Sequence, residues 1–180
     1  MKRVLFGLGS NKSFDNKTPL QLLESACVNL SRYLVKPSFS SVYKTKAMYV
    51  ENQNDFFNMC VLGFVADDLS AFDLLKITQK IEKEHGRNRE KEIRFGSRSL
   101  DIDIELFGEE KINHPILQIP HPRVLERMFV LIPAIEVLKD SADEFIREEY
   151  IKNLEKLKKT EDFENIKMVL PSQAVQEWNK

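Results

Sequence analysis

The sequence predicts an α+β fold, a split β–α–β sheet with helices packed on one face, followed by a helical extension at the C-terminal end. Three observations carry this. Short apolar or alternating runs of strand type occur at Val4 to Leu8, Phe39 to Lys46, Phe56 to Ala66 and Leu100 to Leu106. Two segments with helical periodicity start at capping residues, Thr18 and Ser70, and fall between those runs. From Lys139 onward the chain turns charge-rich, with one apolar stripe at helical spacing.

Val4 to Leu8 is short and apolar, and Gly9-Ser10-Asn11 ends it as a turn. Gly7 and Gly9 make a G-x-G with no third glycine at dinucleotide spacing, and GxxxxGK[ST] is absent, so nucleotide binding here would work without a P-loop. Thr18-Pro19 opens a helix whose Leu22, Leu23, Ala26, Leu30 and Leu34 share a face, running to about Tyr33. Phe39 to Lys46 alternates as a strand, and Ala47 to Asp55 is polar and reads as a surface loop. Phe56 to Ala66 is a central strand in which Asn58 must either cap a neighbouring backbone or meet a ligand. Ser70 caps a helix to about His85 with Leu74, Ile77 and Ile81 inward, stopped by Gly86. Past the next strand come a turn at Gly108 to Lys111 and a short strand at Ile112-Asn113. Ile119-Pro120-His121-Pro122 is rigid and extended, Val124 to Val130 helical, and Ala134 to Leu138 adds a turn. In the tail, Ile146, Tyr150, Leu154 and Leu157 form one stripe, Ile166 to Leu170 a short strand, and Trp178 docks on the body. The order strand, helix, strand, strand, helix, strand is that of a ferredoxin-like sheet, in which the strand at Leu100 to Leu106 is expected to be central.

With 180 residues, 42% of them hydrophobic, the chain is expected to form one domain over 1–180. Lys+Arg 27 against Asp+Glu 28 leaves a net charge of -1, so no global field recruits nucleic acid or an anionic membrane. Cys27 and Cys60 lie in apolar-periodic segments without metal spacing and are expected as buried thiols in a reducing compartment. No apolar run is long enough for a signal peptide or membrane span, and the expected location is cytoplasmic.

The chemistry concentrates between Gly86 and Gly108. Arg87, Arg89, Lys91, Arg94 and Arg98 crowd a segment without helical period, and Leu100 to Leu106 then alternates apolar and acidic residues. On a strand Leu100, Ile102, Ile104 and Leu106 face the core while Asp101, Asp103 and Glu105 share the other face. Carboxylates two residues apart are about 6.6 Å apart along a strand, close enough to share a metal or hold two adjacent ones. Mg²⁺ suits them, because it takes one or two carboxylates and completes its shell with waters and phosphates. Glu105, about 13 Å from Asp101 by the same rise, is assigned to a different neighbourhood. Acids beside arginines fit a polyanion held between them, first of all a nucleoside triphosphate. The plain alternative is a solvated sheet face next to a soluble loop.

Taken in order, GLGSN, FFN, TQKIEKEHGR, RFGSRSLDIDI and IPHPRVLERMFVLIP resemble the 6-hydroxymethyl-7,8-dihydropterin pyrophosphokinases from about Val4 to Val137. The resemblance implies ATP as cosubstrate, two Mg²⁺ ions on Asp101 and Asp103, and phosphate contacts from Arg89, Arg94 and Arg98. It places Gln79, Glu82, His121 and Arg127 on the ATP side. On the pterin side it places Thr45, Met48, Asn58 and Phe95, with Phe56 and Phe129 stacking on the ring, which turns Asn58 toward a ligand. The chain departs from the family pattern at Thr45-Lys46-Ala47, where a proline is common, and at Phe95, Phe56 and Pro122. Small-molecule substrates acting on a monomer, with no nucleic acid or membrane, are the expected partners. Two rival readings are an RNA-binding module using Phe56 and Phe57, disfavoured by acids on the same face, and an inactive nucleotide-binding regulator. The contribution of residues 139–180 is left open by the sequence, which shows no chemistry there.

Overall fold

The computed structural model describes residues 1–46, 53–89, 96–159 and 165–179. Strands β1 (Lys2–Ser10), β2 (Val35–Phe39), β3 (Val42–Thr45), β4 (Phe56–Val65), β5 (Asp101–Phe107) and β8 (Ile166–Leu170) form one sheet in the order β5-β1-β4-β3-β8, with β2 also on β4. Between β5 and β8 a small hairpin pairs β6 (Ile112–His114) with β7 (Leu117–Ile119). The pairings within both sheets are antiparallel.

The helices follow from their caps. In α1 (Pro19–Ser31) the Thr18 hydroxyl accepts from the Gln21 amide while the Gln21 side chain returns to the Thr18 backbone, and Pro19 occupies the first turn. In α2 (Ala71–Glu84) Ser70 accepts from the Asp73 amide. Gly86, at φ +84°, ends it in a conformation that disfavours side chains. Both helices cover the face formed by Val4, Phe6, Met59, Val61, Ile102 and Ile104.

The opposite face is half covered. The helices α3 (Met128–Val137) and α4 (Glu144–Leu157) pack over Leu5, Cys60 and Leu62. Tyr150 and Leu154 are buried along the predicted stripe. The apolar pattern announces the α1 and α2 face; the second layer exists because β1 and β4 are apolar on both sides over that stretch. Where Gly7, Gly9, Asn58, Asp101 and Asp103 replace large apolar residues on this second face, no helix of the described residues lies and a cleft opens.

Three expectations are corrected. The acidic strand β5 is not central but an edge of the six-stranded sheet, because β1 pairs with both β4 and β5; beyond it the His121 amide donates to the Glu105 carbonyl at 3.0 Å. Phe39 to Lys46 is two strands, interrupted where Ser40 donates its hydroxyl to the Ser41 carbonyl and accepts from the Cys60 amide. Val124 to Val130 is not one helix: a short 3₁₀ turn at Val124–Glu126 stops at Arg127, whose backbone is extended, and α3 restarts and continues through Pro133. The stretch from Ala47 lies outside the described residues up to position 52, and Gln53 to Asp55 is irregular. Cys27 and Cys60 are free and buried as expected.

Candidate active site

The floor of the cleft is set by strand register. Gly9 lies between Asn58 of β4 and Asp101 of β5, and Gly7 lies between Cys60 and Asp103. A Cβ on Gly9 would come within 3.1 Å of Asn58 Oδ1, and one on Gly7 within 2.7 Å of Glu105 Oε1. The two glycines therefore keep the middle strand low between an amide on one side and carboxylates on the other. The resulting cleft, about 770 Å³ with its open mouth included, is of ligand size. Thr45, Lys46, Phe56, Asn58 and Phe129 line one end, and Arg98, Asp101, Asp103, Glu105 and Arg127 the other.

At the acidic end Asp101 and Asp103 each face a guanidinium. Asp101 pairs with Arg98 and, at 3.5 Å, with Arg87; Arg127 Nη1 is 3.5 Å from Asp103. Burial pushes the Asp101 carboxyl up, but Arg98 and Arg87 outweigh it and hold it below the usual carboxylate range. Burial, then the charge of Asp101, raises Asp103 to about 7. Glu82 reaches across from α2, where its carboxylate accepts from the Ile102 amide at 2.9 Å and from Arg89 at 2.7 Å. Burial raises its pKa in spite of Arg89.

His121 Nδ1 accepts from the Arg123 amide at 3.2 Å, which puts the proton of a neutral ring on Nε2, a donor. Burial, then Arg127, lowers this imidazole to about 4, so it is neutral at physiological pH.

At the other end Asn58 Nδ2 donates to Thr45 Oγ1 at 2.8 Å, with both residues only 6% exposed. That bond leaves the Thr45 hydroxyl proton and Asn58 Oδ1 as a donor–acceptor pair for a polar ring edge. Phe56 and Phe129 supply apolar walls, and the Arg127 guanidinium lies 5.7 Å from the Phe129 ring centroid.

The structure thus brings Thr45, Phe56, Asn58, Arg98, Asp101, Asp103, Arg127 and Phe129 to one cleft. Arg89 and His121 stand beside it through Glu82 and Glu105. Gln79 is exposed on α2 and is not among the residues that line the cleft. Met48, Arg94 and Phe95 lie outside the described residues.

Glu105 was assigned elsewhere by distance along the strand; it lines the same cleft, because it shares the face of Asp101 and Asp103 and leans over the bare Gly7. It is fully buried, neither of its carboxylate oxygens has a hydrogen-bond partner among the described residues, and burial with the charge of Asp103 raises it to about 8.

Asn11 is another residue that the turn reading passed over. Buried, it accepts from the Arg98 amide at 2.8 Å and donates to the Asn54 carbonyl at 3.0 Å, tying the arginine segment to the chain that enters β4. A buried asparagine in a turn cannot be told from an exposed one by sequence pattern.

Paired carboxylates matched by arginines at one end of a cleft, with a polar slot at the other, are the equipment of a phosphoryl-transfer enzyme. The family described as 7,8-dihydro-6-hydroxymethylpterin-pyrophosphokinase matches residues 5–139. The chain belongs to that family.

The 2-amino-4-hydroxy-6-hydroxymethyldihydropteridine pyrophosphokinase of Bacillus subtilis is 38% identical over 130 residues, covering 72% of this chain and 72% of its own. The enzyme of that name from Haemophilus influenzae is 37% identical, over 78% and 84% respectively. An Arabidopsis thaliana folate synthesis bifunctional protein is 36% identical over 76% of this chain and 27% of its own. Among solved structures, Plasmodium falciparum HPPK-DHPS with pteroate aligns at a TM-score of 0.63 and 14% identity, over 93% of this chain and 47% of that one. The chain spans about half the length of that structure, and the likeness shows the fold.

Proposed function

We propose that the protein transfers pyrophosphate from Mg²⁺-ATP to the hydroxymethyl group of 6-hydroxymethyl-7,8-dihydropterin, releasing AMP, as a pyrophosphokinase of folate biosynthesis. The observation that carries the reading is the two-ended cleft, with carboxylates and arginines at one end and the Asn58–Thr45 pair between aromatic walls at the other.

The donor set fits Mg²⁺. Asp101 and Asp103 are hard oxygen ligands, and Asp103, raised by burial first and by the charge of Asp101 second, is a carboxyl whose ionised form a divalent cation would stabilise. Bound there, Mg²⁺ would neutralise phosphate oxygens and orient the triphosphate. Two ions, as the family resemblance implies, are part of this proposal.

The remaining chemistry belongs to the side chains. Arg98 and Arg127, beside Asp101 and Asp103, would stabilise the phosphoryl oxygens that gain charge as the bond between the α- and β-phosphates breaks, and Arg89, paired with Glu82, would join them. His121, neutral with Nε2–H as donor, suits a phosphate oxygen. Thr45 and Asn58 fix the pterin edge while Phe56 and Phe129 hold its faces, so that the hydroxyl meets the β-phosphorus in line. The hydroxyl oxygen forms the new P–O bond, AMP leaves with the former bridging oxygen, and the hydroxyl proton passes to solvent. Gln79 and, from outside the described residues, Met48, Arg94 and Phe95 complete the proposed set.

The test is AMP release from Mg²⁺-ATP with and without the pterin. AMP formed only with the pterin supports the reading; Mg²⁺-ATP binding without turnover replaces it with a nucleotide-binding regulator.

A further inference from the structure

The family match ends at residue 139, yet the chain beyond it returns to the sheet. Strand β8 pairs with the outer edge of β3 in the register Tyr43↔Met168, Lys44↔Lys167 and Thr45↔Ile166. Helix α5 (Ser172–Gln176) and the turn after it then cross to the α1 face. There Val175 is fully buried, Trp178 packs against the core, and Gln176 Nε2 donates to the Phe39 carbonyl at 3.0 Å. The Ser172 amide donates to Ser41 Oγ at 3.0 Å, immediately before β3.

We propose that Ile166–Asn179 is a positioning strap for the acceptor end of the cleft, holding β3 so that Thr45 stays seated against Asn58. The proposal rests on the reading of that end as the pterin site. Strand β3 is only four residues long and pairs with β4 through three of them, Tyr43, Lys44 and Thr45. Without β8 its other edge would present unpaired N–H and C=O groups, and a strand so short and one-sided opens readily.

The strap's position makes the effect selective. In the order β5-β1-β4-β3-β8 it lies at the opposite edge from the carboxylate strand, with β1, β4 and β3 between them. Its ladder runs directly beside Thr45 and ends where Lys46 enters the cleft. The strap therefore acts through Thr45 and Asn58, and leaves Asp101, Asp103, Arg98 and Arg127 as they are.

The experiment uses the full chain with Lys167→Pro and, separately, Met168→Pro. Successive residues of an antiparallel strand point their N–H groups alternately toward and away from the partner, so one of the two substitutions removes a ladder N–H. Met168 is 54% exposed, and both variants keep the Val175 and Trp178 anchors. The readouts are pterin affinity and KM against ATP affinity and KM, with amide hydrogen exchange across the sheet.

In the variant that cuts the ladder, pterin KM and Kd are expected to rise by about tenfold or more while the ATP values hold within about threefold. Faster exchange is expected over β8 itself, over Val42 to Thr45 and over the adjoining Phe56 to Asn58, and not over β1 or β5. Equal losses for both substrates, unchanged kinetics in both variants, or exchange that rises throughout the sheet would overturn the proposal. If the parent neither binds nor converts the pterin, the functional reading falls by itself. Exchange then decides the strap alone: local loss over those segments supports it, and unchanged or global exchange overturns it.

Discussion

Asp103 and Glu105 differ in one methylene and two positions, and the cleft gives them opposite duties. Asp103 faces Arg127 at the open end, so Asp103→Ala should keep the fold and lower turnover by about 10³-fold or more, the loss of several kcal/mol of charge stabilisation. Circular dichroism and AMP release check both halves; an unfolded variant would show that the acid is structural. Glu105 carries the pH prediction. Its folded pKa, about 8, lies above the ordinary value of 4.5, so the folded state holds a proton that the unfolded chain has released. Its contribution to stability is therefore full below about pH 4.5 and is lost as pH rises through 8. The parent should lose melting temperature between pH 5 and pH 8, and Glu105→Met, unbranched and of similar length, should make that slope shallower, with Asp103, raised to about 7, keeping the rest, and be the more stable protein at pH 8. A variant slope as steep as the parent's would assign the pH dependence to other groups.

The glycines of β1 show how an element makes a site by what it lacks. Gly9→Ala puts a methyl 3.1 Å from Asn58 Oδ1, and Asn58 can yield only by giving up its bond to Thr45. Pterin KM should rise about tenfold, within the range of an overpacked contact, with ATP KM little changed. Equal changes for both substrates would mean that the whole sheet had shifted. Gly7→Ala meets Glu105 Oε1 at 2.7 Å and its Cδ and Cγ at 3.5 Å, so the buried Glu105 side chain must shift, and the substitution should cost stability first. This is also the scale at which the sequence was most and least legible. Strand β5 was readable because its alternation is complete, and α1 and α2 because their caps are strong. The edge position of β5 was not readable, since periodicity reports which face a residue takes but not which strand pairs with which. The restart of α3 at Arg127 was hidden because residues on both sides have helical propensity and only tertiary contacts place the break. Glu105 was lost to a distance argument along one strand, when the lean of its side chain over Gly7 on the neighbouring strand decided where its carboxyl lies. In the tail, the α4 stripe and β8 were legible while their partners, the second sheet face and the β3 edge, were not.

At the scale of the whole molecule, the cleft neutralises itself. Arg98 and Arg87 hold Asp101, Arg127 holds Asp103, and Arg89 holds Glu82, four arginines on three acids drawn from α2, β5 and the segments beside them. A cation binding alone to Asp101 and Asp103 must displace guanidiniums and leave them uncompensated. A polyphosphate binding alone must draw the arginines away and leave carboxylates half-buried without partners, which is costly. Together, cation and polyphosphate exchange partners with both sets at once, so each should strengthen the other's binding. By linkage the factor is the same in both directions, and typical couplings are about 1–3 kcal/mol, or roughly 5- to 150-fold. Titration calorimetry should show the ATP Kd falling at least tenfold, about 1.4 kcal/mol, when Mg²⁺ is saturating. Magnesium also binds ATP in solution, and Asp103→Asn separates the two sources because it leaves the solution equilibrium untouched. A coupling that survives in Asp103→Asn at the parent's size would show that the affinity gain comes from the Mg²⁺-ATP complex itself. A coupling that drops in the variant would locate it in the exchange of partners among Asp101, Asp103 and the arginines that face them.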